Sequence, residues 1–279
     1  MSNNLPAIQK IDEAHSTFVS IYKAVHGCNQ SDAENFYEVE KFQFSKTITE
    51  TPALAQCSEL SIAATFLEVI GNGLSFDSSA KHVYLVPRNV KAPDGTWQKR
   101  LTYSFAAQGL IQLCVQAGSI IGCTSPVIVY EGDVIQPETK GGILDIHHKP
   151  AIPRKSNKII GGFCFVETTK GREGFWMDID EVERLKGYSA KANKSQSNPD
   201  GKANELYTAG PDGQIDAGFF ATKIVKAALK NYRKKKVSSD NYVDEDAIMD
   251  TPYQLPEGNT ANINADKETG DLLNENETF

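Results

Sequence analysis

Hydrophobic positions recur at helical spacing in three stretches before residue 71, alternate in strand-like runs from residue 82 to 179, and return to helical spacing near residue 220. Ile8, Ile11, Phe18, Ile21, Tyr22 and Val25 predict a helix over Ala7 to Gly27, with Gly27 as its stop. A second helix is expected from Asp32 to about Ile48. A third is expected from Pro52 to Ile70, where Ile62, Phe66, Val69 and Ile70 form one stripe. Gly71 and Gly73 close the third. Their GNG resembles a phosphate-binding loop but follows a helix instead of opening one, so it reads as a C-cap.

Strands are expected at His82 to Val90 and Trp97 to Phe105, joined through Pro93-Asp94-Gly95 as a hairpin. A buried helix follows from Ala106 to Ala117, capped by Gly118. Further β segments are expected at Ile120 to Tyr130, Ile143 to His147, Ile159 to Thr168 and Gly174 to Ile179. Their connections are too short for crossover helices, which makes the sheet antiparallel and the fold class α+β, a sheet and hairpin packed against helices. Asp180 and Glu183 form a capping-box pattern for a short helix through Leu185. Gly187 to Gln214 turns to Ser, Asn, Lys, Gly and Pro, the composition of a mobile loop. Ile215 to about Lys235 reads as an amphipathic helix, with Ala221, Ile224, Val225, Ala228, Leu229 and Tyr232 on one side. Lys223, Lys226, Lys230, Arg233 and Lys234 lie on the other.

Charge changes this picture more than composition does. The 279-residue chain carries a formal net charge of −7, which argues against a phosphate-rich partner. Residues 237–279, however, hold eleven acids against the single base Lys267, so residues 1–236 carry +3. A mildly basic body with an acidic tail, poor in apolar residues and expected to be disordered, is compatible with DNA. Five cysteines, Cys28, Cys57, Cys114, Cys123 and Cys164, are odd in number and contain no CxxC pair, as expected of reduced core residues. No signal pattern opens the chain and no apolar run reaches the roughly 20 residues that span a bilayer. A cytoplasmic protein with no membrane role is the expectation.

The hairpin gathers the candidate chemistry. Arg88, Lys91, Lys99 and Arg100 sit on or beside its strands, interleaved with Tyr84, Trp97, Tyr103 and Phe105. Cations for phosphates and planar rings for bases are what a protein needs to hold a single strand irrespective of sequence. The same residues would equally decorate an exposed hairpin and fill its core. The lysines of the last helix form a second candidate track. Lys191, Lys194 and Lys202 in the loop, and Arg154, Lys155 and Lys158 before a strand, are weaker candidates.

The order of segments resembles the RecT family of phage and prophage single-strand DNA annealing proteins, over roughly residues 35 to 235. The motifs that carry the resemblance are CSELSIAATFLEVIGNGL at Cys57 to Leu74, YLVPRN at Tyr84 to Asn89, and Tyr103 to Gly109 followed by LIQLCVQAG. VYEGD at Val129 to Asp133, the H-x-P element His148-Lys149-Pro150, and FFATKIVKAAL at Phe219 to Leu229 complete the set. Gln108 stands where the family commonly has Lys or Arg, and Ala227 where another base is frequent, which weakens both positions as phosphate contacts. The resemblance implies a single-strand-annealing core in which no bond is made. It implies no catalytic residue, no metal ligand, no cofactor and no ATP, with Mg2+ dependence left open. The implied partners are single-stranded DNA, the annealed duplex intermediate and further copies of the chain in a ring or filament. A partner exonuclease and a host single-strand-binding protein in the cytoplasm of a bacterial host are further candidates. The DNA-contact residues so implied are Arg88, Lys91, Lys99, Arg100, Tyr103, Gln108, Lys191, Lys194, Lys223, Lys226 and Lys230.

Three regions follow: residues 1–50 as a helical region for oligomer contacts, 51–236 as the annealing core, and 237–279 as the tail. Two rival readings stand beside this one. Glu138-Thr139-Lys140 with Asp133 upstream matches a metal-dependent nuclease element, although Pro137 and Gly141-Gly142 suggest a turn there. An adaptor that meets only protein partners is the other. His147 and His148, being adjacent on a strand, would face opposite ways and share no metal.

Overall fold

The structure, a computed structural model, describes residues 6–91, 95–192 and 201–236. The expected tail, the hairpin turn at Pro93-Asp94 and Lys194 lie outside the described residues. The chain divides into two compact units, one of residues 1–106 with 236–279, the other of residues 107–235. Both mix helices with antiparallel strands, as the α+β expectation requires. No described helix is long and apolar enough to cross a membrane.

The first unit opens with α1 (Pro6–Glu13) and α2 (His15–His26), where one helix was expected. The Ala14 N–H turns back to the Ile11 carbonyl three residues away, which breaks the four-residue ladder there. Gly27, at φ 68°, ends α2 as expected. Then come α3 (Gln30–Glu50), capped by the Asn29 side chain accepting from the Asp32 N–H, α4 (Pro52–Ala55) and α5 (Glu59–Gly71). The break between α4 and α5 has a tertiary cause. The Ser58 N–H donates to the Lys99 carbonyl at 2.8 Å and so leaves the helical ladder.

Strands β1 (Val83–Lys91) and β2 (Trp97–Phe105) pair along their whole length. On α5, one turn apart, Ser61 Oγ accepts from the Leu101 N–H at 2.9 Å and Thr65 Oγ1 donates to the Leu101 carbonyl at 3.1 Å. Both backbone groups of Leu101 therefore point away from β1, which makes Pro87↔Leu101 a pair without cross-strand bonds. Pro87 lacks an N–H at the one kind of position where the hairpin needs none. Tyr37, Phe44, Ile48, Phe66, Ile70 and Leu101 form one buried cluster, so α3 and β2 share a core and a boundary at residue 51 passes through it. Glu40, buried on α3, accepts from Ser75 Oγ and the Phe76 N–H, tying the segment after α5 to this core.

The second unit begins with α6 (Ala107–Gln116). Its sheet is built on β7 (Ile159–Thr168), which pairs with β8 (Gly171–Asp178) along one edge. Two short strands, β3 (Gly122–Cys123) and β4 (Val127–Tyr130), take the other edge, dividing the single strand expected at Ile120 to Tyr130. A second hairpin, β5 (Val134–Lys140) with β6 (Ile143–Lys149), turns at Gly141 and Gly142, at φ 60° and 82°. These are the left-handed angles of a two-residue hairpin turn, and glycine adopts them without strain. Pro137 lies inside β5, so Glu138-Thr139-Lys140 is on a strand and not in the turn expected.

α7 (Ile179–Ala192) runs a further two turns beyond the expected end at Leu185, and in its first turn the Asp180 N–H donates to Asp178 Oδ1 at 3.0 Å. α8 (Ala217–Ala228) is shorter than expected. The Lys234 ammonium donates to the carbonyls of Leu229, Lys230 and Tyr232, while the Ser119 hydroxyl and the Leu113 carbonyl bond the Arg233 and Lys235 backbone. That network ends the helix and fastens the chain to α6 instead. α8 lies directly on β7: a Cβ at Gly162 would come within 2.5 Å of Ile224 Cδ1.

Candidate nucleic-acid interface

Parity sorts the β1–β2 side chains onto two faces. Leu85, Pro87, Leu101, Tyr103 and Phe105 share the face that packs on α5, and at the turn end the same face carries Lys91, Asn89, Lys99 and Trp97. The opposite face carries Arg88 directly across from Arg100, flanked by Val90, Gln98, Val86 and Thr102. Trp97 is 56% exposed, Lys91 and Arg100 are exposed, and Arg88 and Lys99 are half-buried. Lys99 Nζ donates to Gln56 Oε1 at 3.3 Å. The outer end of the hairpin thus presents cations on both faces and an indole on one.

Tyr103 corrects the expectation. Its ring is fully buried, edge-on to Phe105 at 5.5 Å between centroids, and offers no surface to a strand of DNA. Alternation could have found this: Trp97, Lys99, Leu101, Tyr103 and Phe105 have one parity, Gln98, Arg100, Thr102 and Ser104 the other. The accessible aromatic of β2 is Trp97.

The remaining candidates belong to the second unit. Gln108 is exposed in the first turn of α6, and Lys191 is exposed in the last turn of α7, its ammonium 5.7 Å from the Tyr188 ring centre. Lys223, Lys226 and Lys230 succeed one another along α8 and just past its end. Lys223 Nζ stands 4.8 Å over the Phe219 ring, and Lys230 is exposed.

Two segments of the second unit meet at Asp133. Its carboxylate, 5% exposed, accepts from the Tyr130 N–H at 3.0 Å and the Ala151 N–H at 2.8 Å, and pairs with His148 Nε2 at 3.0 Å. Burial opposes ionisation of Asp133, but these bonds outweigh it and hold its carboxyl down at about 2. VYEGD and His148-Lys149-Pro150 are therefore two halves of one structural tie. His147 and His148 do point to opposite faces, His147 toward Asp145 and His148 toward Asp133. Glu138 pairs with Lys140 at 3.0 Å, and among the described residues no three His, Cys, Asp or Glu side chains gather as a metal site.

An α+β frame of antiparallel hairpins and sheets against helices, with a cationic hairpin end carrying an exposed indole, defines the class of protein. The RecT family model matches residues 41–251, more than half of the chain, and the chain belongs to the RecT family. That family comprises phage-type proteins that bind and anneal single-stranded DNA in recombination and that oligomerise; they are annealing proteins rather than catalytic enzymes. No curated protein and no solved structure matches the chain.

Proposed function

We propose that this chain binds single-stranded DNA and pairs complementary strands without ATP, as a homo-oligomeric ring or filament in the cytoplasm of a bacterial host. One observation carries the reading. β1 and β2 hold four bases and no acid, and their register sets Arg88 opposite Arg100, where like charges repel and a phosphate between them would be favoured. Lys91, Lys99 and Trp97 extend the same end of the hairpin to a second phosphate and a base. Lys223, Lys226, Lys230, Lys191 and Gln108 are assigned as additional contacts. The protein lowers phosphate repulsion and pre-extends one strand, and base pairing supplies the specificity. The exposed Val39 and Phe42 of α3 support self-association through the N-terminal helices.

The test is the rate at which two complementary oligonucleotides anneal with purified protein, without ATP and with or without Mg2+, across a salt series. Acceleration that requires complementarity and fades as salt rises is the expected result. No acceleration and no strand retention at any salt would favour an adaptor role. Truncation after Lys236 separates roles for the acidic residues: tighter DNA binding marks competition with DNA, and unchanged binding leaves recruitment of an exonuclease or single-strand-binding protein, or solubility of the assembly.

A further inference from the structure

Between β6 and β7 the segment from Pro150 to Lys158 carries Ile152, 89% exposed and the most exposed large apolar side chain among the described residues. A single exposed isoleucine is ordinary. The fastening of this one is not. Asp133 holds the Ala151 N–H immediately before it. Just after it, the Arg154 guanidinium lies 3.7 Å from the centre of the Tyr130 ring. Further on, Ser156 Oγ donates to Glu131 at 3.2 Å, Lys158 Nζ reaches Glu131 at 3.3 Å, and Gln214 Nε2 donates to the Asn157 carbonyl at 2.6 Å. The loop is thus tied to the Tyr130–Asp133 turn on both sides of Ile152, and the isoleucine is held outward instead of folding back.

The chemistry around this tip selects its partner. From Lys149 to Lys158 there are four bases, Lys149, Arg154, Lys155 and Lys158, and no acid; all four are exposed. An apolar wedge flanked by cations fits a nucleic-acid strand, whose base faces are apolar and whose backbone is anionic, better than a neutral protein surface. We propose that Ile152 inserts between two consecutive bases of bound single-stranded DNA, with Arg154 and Lys155 on the phosphates beside that step. The inserted side chain interrupts base stacking and leaves short runs of bases splayed for a complement. This inference rests on the single-strand binding proposed above.

The experiment uses the full chain and an oligonucleotide carrying 2-aminopurine, whose emission rises when it is unstacked. Wild type should raise that emission. Ile152→Ser should retain the strand within about threefold by anisotropy and keep the same salt slope, since it removes no phosphate contact. It should lose at least about half of the emission rise and slow annealing about fivefold or more. Ile152→Trp, tested in parallel, should lose more indole emission on binding single-stranded DNA than the wild type, which carries Trp97 and Trp176. Ile152→Ser with an unaltered emission rise and annealing rate would overturn the proposal, as would an Ile152→Trp that binds DNA with no more quenching than the wild type. A change in assembly mass without DNA, with the emission rise intact, would assign Ile152 to a protein contact and also overturn it. Failure of the wild type itself to retain the strand would instead sink the parent reading.

Discussion

β1–β2 and β5–β6 are both antiparallel hairpins, with nine residues per strand in the first and seven in the second. From Leu101 to Phe105 β2 is buried on both faces, whereas Ile146 is the one buried residue of β5–β6. Their charges are arranged on opposite principles. In β5–β6 two acids and two lysines cancel within the hairpin, Glu138 with Lys140 at 3.0 Å, and Asp145 has His147 at 3.8 Å. In β1–β2 the strands supply only cations, and the pairing register sets Arg88 across from Arg100. The acids and bases of β5–β6 offset one another on its own strands, whereas β1–β2 gathers like charges on strands that hold no acid, and it is this difference on which the proposed strand binding rests.

The strongest way to break this contrast is to treat Tyr103 as part of the interface. Tyr103→Ala should cost about 4 kcal/mol of unfolding free energy, as expected for an emptied aromatic core site, and denaturant titration measures it. Tyr103→Phe should leave DNA affinity unchanged; a tenfold loss at constant stability would return Tyr103 to the interface. Asp133 comes next, because it anchors the β5–β6 side of the comparison. Asp133→Ala leaves buried partners unmet and should cost about 3 kcal/mol. Its carboxyl is depressed on folding, so its contribution is fully present above the unfolded value of about 4 and is lost as pH falls from there toward about 2. The wild type should therefore destabilise across that window, and Asp133→Ala should show a shallower dependence.

Arg100→Glu sharpens the comparison most directly, since it places opposite charges across from each other. Single-strand affinity should fall about 30-fold, roughly 2 kcal/mol, with a smaller salt slope. Thermal stability should hold or rise by a few tenths of a kcal/mol. Equal losses of stability and binding would mean that Arg100 supports the fold. The smallest effect is expected from Glu138→Gln with Lys140→Gln, which should change affinity less than about twofold and stability within about 0.5 kcal/mol. A large binding loss there would erase the distinction between the hairpins.

Much of this molecule was legible before any coordinates. Trp97 to Phe105 and Ile159 to Thr168 are strands at the expected residues, because bulky and β-branched side chains bounded by turn residues leave few alternatives. The caps at Gly27, Gly73 and Gly118 lie where positive φ is observed. The misreadings share one cause. β5 was hidden by Pro137, which pairs with Ile146 across the hairpin, and α8 ended early because the Tyr232 hydroxyl donates to Glu173 and the Lys235 N–H to the Leu113 carbonyl, both distant in sequence. In the candidate interface, local pattern picked out the basic residues of the hairpin, while Tyr103 was carried over from the family resemblance although its parity sets it with Leu101 and Phe105.

The sequence by itself determined most of the helical and extended segments, that the class is α+β, which family the chain belongs to and which hairpin is cationic. Periodicity, turn chemistry and charge are local quantities, written within a few residues of one another. Only the tertiary structure decided that Arg88 stands across from Arg100, that Glu40 serves a segment 36 residues away at Phe76, and that Asp133 holds the loop presenting Ile152. Register and burial depend on which distant groups compete for the same hydrogen bonds and the same space, and neither is a property of any short stretch of chain.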